Sequence, residues 1–232
     1  MLARTLMGSA LLAVGLGLSG CGDSESDADV STEITAQYEI TVTNVTAAQP
    51  MAPAIAVLHS AGYSMYTLGE SASVALETLA EGGDNSLLLA EAQATTDVNE
   101  ARSLGVLLEP GKTTSIMLEG DAEYLSFAGM LVNTNDGFVG LKSYHLSHLQ
   151  KGEVEKLSLS TYDAGTEDNS ESAASVPAQG GEGFNVVRDD SNAVIRYHSG
   201  VVTSDDGLST SALTGIHRFD NPTAILRIKR IQ

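Results

Sequence analysis

The chain has 232 residues, with 12 Lys plus Arg against 30 Asp plus Glu, a formal net charge of −18, and one cysteine. That balance argues against a nucleic-acid partner, which needs clustered bases to neutralise phosphates, and against unaided adsorption to anionic lipid. One cysteine excludes an intramolecular disulfide and a multi-cysteine zinc site, while 42 % hydrophobic residues make the bulk of the chain a folding composition.

Residues 1–20 read as a leader outside the fold. Arg4 is followed by an apolar stretch from Leu6 to Leu18, Gly-rich and short of the roughly 20 residues a membrane span needs. The stretch ends in Leu18-Ser19-Gly20-Cys21, which resembles a bacterial lipobox, and this predicts cleavage before Cys21 and diacylglycerol on its thiol. The competing reading is an ordinary signal peptide with a chance cysteine. Gly22, where an Asp would signal inner-membrane retention, points toward the outer membrane of a Gram-negative cell. Residues 21–36 carry Asp23, Glu25, Asp27, Asp29 and Glu33 with no base, which predicts an extended, solvated tether. Residues 37–232 are left as one domain, a size that supports a full core.

Within the domain, Tyr38 to Thr46 alternates as a half-buried strand, and Ala54 to His59 is a short apolar strand after Pro50 and Pro53. Ser71 to Ala80 reads as a helix capped by Ser71 or Ser73 and ended by Gly82-Gly83, with a second helix over Leu87 to Ala94 after Asn85 or Ser86. Thr95 to Arg102 is polar and carries no clear period. Leu104 to Glu109 and Thr113 to Glu119 flank Pro110-Gly111 and predict a hairpin. Tyr124 to Val132 is a central strand, followed by strands over Gly137 to Tyr144 and Val154 to Tyr162. Asp163 to Gly183 is a Gly-, Ser- and acid-rich loop, long enough to need a reason. Ala193 to His198 and Ile225 to Ile231 close the chain as strands. Many short strands with two early helices predict a mainly β fold, an antiparallel β-sandwich with one or two short helices.

The densest chemistry lies in Tyr162-Asp163-Ala164-Gly165-Thr166-Glu167-Asp168-Asn169-Ser170-Glu171, where Asp163, Glu167, Asn169 and Glu171 recur and Gly165 relaxes the turn. Calcium takes six to eight oxygens from flexible loops, more than one such segment supplies. The segment Leu131 to Phe138, with Asp136 at the end of a strong strand, is a plausible second donor. From spacing alone, two solvated acidic loops are the competing reading.

These segments are also recognisable. Met130-Leu131-Val132-Asn133-Thr134-Asn135-Asp136-Gly137-Phe138-Val139-Gly140 together with Tyr162-Asp163-Ala164-Gly165-Thr166-Glu167 resembles the spondin domain in its bacterial form. Supporting segments are Thr43-Asn44-Val45-Thr46 with the prolines after it, Leu79-Ala80-Glu81-Gly82-Gly83-Asp84, Gly181-Glu182-Gly183-Phe184 and His217-Arg218-Phe219-Asp220-Asn221-Pro222, so the resemblance runs from about Gln37 to Arg230. It implies an antiparallel β-sandwich related to calcium-dependent membrane-binding modules, with one calcium ion at the loop end. By motif the ligands fall on Asp136, Asp163 and Glu167. Asn-Asp-Gly-Phe stands where animal members have Pro-Asp-Trp-Phe, and Glu167 stands where they have Asp, one methylene shorter.

Little else points to catalysis. His145 and His148 lack a third zinc ligand, His59 reads as a core residue, and His198 and His217 stand singly. No Gly-x-Ser-x-Gly is present, and Gly111-Lys112-Thr113 lacks the earlier glycine of a phosphate loop. The expectation is a non-enzymatic, lipid-anchored module of the cell envelope that binds calcium and an unidentified protein or glycan. The rivals are a metal-assisted hydrolase using the same carboxylates and a structural envelope lipoprotein without metal.

Overall fold

The structure is a computed structural model that describes residues 35–190 and 193–232. Nine strands and two short helices make it mainly β. The expectations for the leader, Cys21 and most of the tether lie outside the described residues.

The strands are β1 (Gln37–Asn44), β2 (Ile55–His59), β3 (Val98–Ser103), β4 (Thr113–Glu119), β5 (Tyr124–Met130), β6 (Gly137–His145), β7 (Val154–Asp163), β8 (Arg196–Tyr197) and β9 (Ala224–Arg230). They form one continuous sheet in the order β3-β2-β5-β6-β7-β9-β1-β4, with β8 added to β7, and every pairing is antiparallel. Its two ends approach each other: the Glu100 carboxylate on β3 accepts from the Glu119 backbone N–H on β4. The two layers of the expected sandwich are thus two halves of a single curled sheet.

The period of two decides what each face buries. Tyr38, Ile40 and Val42 of β1 point inward with Leu118, Leu125, Phe127, Leu159, Leu226 and Ile228 from the other strands. β2 is buried on both faces: Ala56 and Leu58 enter this interior, while Ile55 and Val57 face the helices. Helix α1 (Val74–Gly82) sets Leu76, Leu79 and Ala80 against Ala128, Met130 and Phe138, and α2 (Ser86–Gln93) adds Leu88 and Ala92.

Ser73 caps α1 by accepting from the Leu76 N–H, and Gly83 ends it at φ 69°. Asn85 precedes α2 without capping it, because its amide donates to the Pro53 carbonyl and the Ser103 hydroxyl.

The hairpin expected around Pro110-Gly111 does not form. Only its second arm is a strand, and β4 pairs with β1. Leu108 makes an isolated bridge to Met51, while the polar segment before it supplies β3, an edge strand on β2. An edge strand buries little, so Val98–Ser103 shows no apolar period.

Candidate metal centre

The register of β6 and β7 pairs Gly137 with Asp163, so Asp136 and Asp163 end neighbouring strands at the same edge. The turn before β6 is pinned by Thr134, whose hydroxyl donates to the Leu131 carbonyl at 2.6 Å and accepts the Gly137 N–H at 2.9 Å. Asp136 is 0 % exposed. Its Oδ2 accepts from the Thr166 N–H at 2.8 Å, the Thr166 hydroxyl at 3.2 Å and the Glu167 N–H at 3.2 Å, whereas its Oδ1 is buried without a hydrogen-bond partner. Burial, and then the Asp163 charge, push this carboxyl up to about 7.

Asp163 is buried as well. Its Oδ1 accepts the Gly165 N–H at 2.9 Å, and its Oδ2 accepts from Asn169 Nδ2 at 2.6 Å and from Arg196 at 3.0 Å. Burial raises its pKa against the pull of those three donors. Gly165 makes the turn possible: its φ is +69°, and a Cβ there would lie 2.5 Å from the Val194 carbonyl oxygen.

The Glu167 carboxylate accepts from Asn135 Nδ2 at 3.2 Å. Burial pushes it up to about 7, with Glu81, Asp189 and Asp136 adding like charge. The structure therefore places Asp136 and Asp163 in mutual repulsion, with Glu167 alongside. Among the described residues, no three His, Cys, Asp or Glu side chains converge as a metal-ligand set.

Four groups here gave little signal in the sequence. Arg196 on β8 joins Asp163 to Asp190, the latter at 2.5 Å. Glu77 and Glu81, four apart on α1, are both buried. Glu77 pairs with Arg188 at 2.5 Å, while Glu81 takes the Asn185 N–H at 2.7 Å on one oxygen and has no partner on the other. Their spacing of four is plain in the sequence, but spacing alone does not signal burial. Asn135 is the fourth: it donates to Glu167 and Ser175 and accepts the Glu171 N–H.

Glu171, one of the oxygen donors counted in the sequence, serves another purpose. At φ 51° it accepts from the Val202 N–H at 2.6 Å and the Ser211 hydroxyl at 2.8 Å, stapling the long acidic loop to the segment before β9.

The histidines lie elsewhere. His59 is a core residue whose ring contacts the Ser60 carbonyl and the Ser126 hydroxyl. His145 ends β6 and His148, in the following turn, meets the Tyr144 ring edge-on, both histidines exposed.

A sequence profile of the Spondin_N family matches residues 42–186, more than half of the chain. The chain belongs to the Spondin_N family. The match takes in both acidic segments and α1 with its buried acids; Arg196 and the last strand fall beyond it. No curated protein matches the chain.

The donor chemistry fits the calcium that a spondin domain implies. Asp136 and Asp163 carry hard oxygen donors, the partnerless Asp136 Oδ1 is an acceptor without a donor, and the surrounding polar side chains include amides and hydroxyls beside the Arg196 guanidinium on Asp163.

Proposed function

We propose that this spondin-domain chain is a lipid-anchored, extracytoplasmic binding module whose loop end is ordered by one calcium ion. Asp136 and Asp163 would hold the ion, with Glu167 as the third carboxylate and neutral oxygens completing the sphere. The observation that carries this reading is the buried Asp136 carboxylate, satisfied three times on one oxygen and not at all on the other, beside a second buried carboxylate. Two neighbouring anions out of water are costly unless cations offset them, and Arg196 supplies one such charge, at Asp163. The ion would supply the rest and lock the Asp136 turn to the Asp163–Glu171 loop.

Lipidation at Cys21 supports placement in the cell envelope, with the outer membrane favoured by Gly22. No helix among the described residues is long and apolar enough to cross a membrane. A metal-assisted hydrolase would require an open coordination position, and the complete burial of Asp136 disfavours it.

The test is thermal unfolding of the purified chain in millimolar calcium and in chelator. A rise in melting temperature with calcium, absent in Asp136→Asn and Asp163→Asn, supports the site. An unchanged melt sinks it. Mass spectrometry of the mature chain from its host tests the acyl group on Cys21.

A further inference from the structure

The helices cover the outer face of the sheet at β2, β5 and β6, but the outer face of β7, β9, β1 and β4 is open to water. The registers fix what stands there. Lys156 on β7 lies directly opposite Arg227 on β9, and Arg227 lies opposite Thr41 on β1, which faces Ser115 on β4. One step along, Lys229 stands between Val154 and Glu39. On the other side, Ser158, Ile225, Thr43 and Thr113 form the next row. Lys156 and Arg227 are exposed.

Two like charges directly opposite each other across an antiparallel pair repel at about 5 Å and destabilise the sheet. The chain has 30 acids for 12 bases, so acids to pair these cations are plentiful. Yet among the described residues neither Lys156, Arg227 nor Lys229 is in an ion pair, and Glu39 opposite Lys229 is the one carboxylate in these three rows.

We propose that this face, built on Lys156, Arg227 and Lys229, binds a linear polyanionic glycan. Its anionic groups would lie over the three cations and its hydroxyls over the flanking Thr41, Thr43, Ser115 and Ser158. Charge complementarity selects an anion, and the net charge of −18 selects its shape. An extended anionic surface would face the acids around the patch within a Debye length of about 8 Å. A single polymer chain laid along these rows meets the three cations and, of the acids, only Glu39. This names a partner class for the binding-module reading, and it needs no cation at the loop end.

The test uses the purified full chain carrying Cys21→Ser, so that no acyl group contributes, and three probes: dextran sulfate, neutral dextran and phosphatidylglycerol vesicles. Binding to dextran sulfate alone is expected. Three cations at roughly 0.7 counterions each give a salt slope near −2, a loss of about 20-fold between 50 and 200 mM NaCl. Lys156→Thr/Arg227→Thr should weaken binding at least about 10-fold at 50 mM, since it removes two of the three contacts, while Lys142→Thr on β6 leaves it unchanged. Asp163→Asn should keep it, so this reading and the calcium reading fail separately. Equal binding by the double variant, equal binding to neutral dextran, tighter binding to the vesicles, or loss in Asp163→Asn would each overturn the proposal.

Discussion

Replacing Asp136 by Asn should stabilise the chain in chelator and forfeit the stability that calcium adds. The Asn side chain keeps an oxygen for the Thr166 and Glu167 donors and removes the charge that faces Asp163. Burial raises the Asp136 carboxyl from 3.8 to about 7 in the native state. A shift of about three units corresponds to roughly 4 kcal/mol once the group is fully ionised, an upper figure because the pair relaxes. The native state holds this proton longer than the unfolded chain. In chelator, the contribution of Asp136 to wild-type stability is therefore greatest at low pH and falls as pH rises from about 4 to about 7. Asp136→Asn lacks that slope and should be the more stable protein at pH 8, by about 1–4 kcal/mol.

In calcium the gap shifts toward wild type. An ion bound only by the native state adds about 2.7 kcal/mol at 100 times its Kd. For a domain of this size that is about 5–10 °C in Tm. Wild type gains it and the Asn variant does not. Calorimetry of both proteins at pH 5 and 8, with calcium and with chelator, reads all eight states. If calcium raises the stability of wild type no more than that of the variant, the site does not hold calcium. If the difference in stability between wild type and variant shows no slope between pH 5 and 8 in chelator, the burial argument for Asp136 fails as well.

Other outcomes follow from single contacts. Gly165→Ala meets both a left-handed φ and the Val194 backbone, and should destabilise by about 3 kcal/mol or more in urea titration. His198 is buried with its pKa lowered to about 4 by desolvation and by Arg196; its Nδ1 accepts the Gly200 N–H and its Nε2 has no partner. Its stabilising contribution is complete above about pH 6.5 and lost as pH falls toward 4. His198→Phe should flatten that part of an acid-unfolding curve. Glu171→Gln breaks one of two charge-assisted bonds in the loop staple and should cost about 1.5–3 kcal/mol, with faster proteolysis within 163–183 as a second readout. Lys156→Thr relieves the cross-strand repulsion with Arg227 and should raise stability by about 0.5 kcal/mol, an effect that 0.5 M salt erases.

The two helices and most strands were legible because their period matches one buried face: β1 alternates, and α1 carries its own cap and terminal glycines. Asp136, Asp163 and Glu167 were marked by their place at strand ends and by the family's motif. The hairpin around Pro110-Gly111 was misread because a turn signal is local, whereas pairing depends on which edge is free; β4 found β1, distant in sequence.

By itself, then, the sequence determined a mainly β domain, an acidic and cysteine-poor character, and the segments that supply carboxylates. The tertiary structure alone decided which charges share a neighbourhood. It brought Arg196 and the α1 acid Glu81 into the surroundings of the site, turned Glu171 into a staple, and set Lys156 opposite Arg227. Electrostatics falls off over a few ångströms of space, not of chain, so desolvation and like-charge repulsion have no local sequence signature until the fold sets the distances.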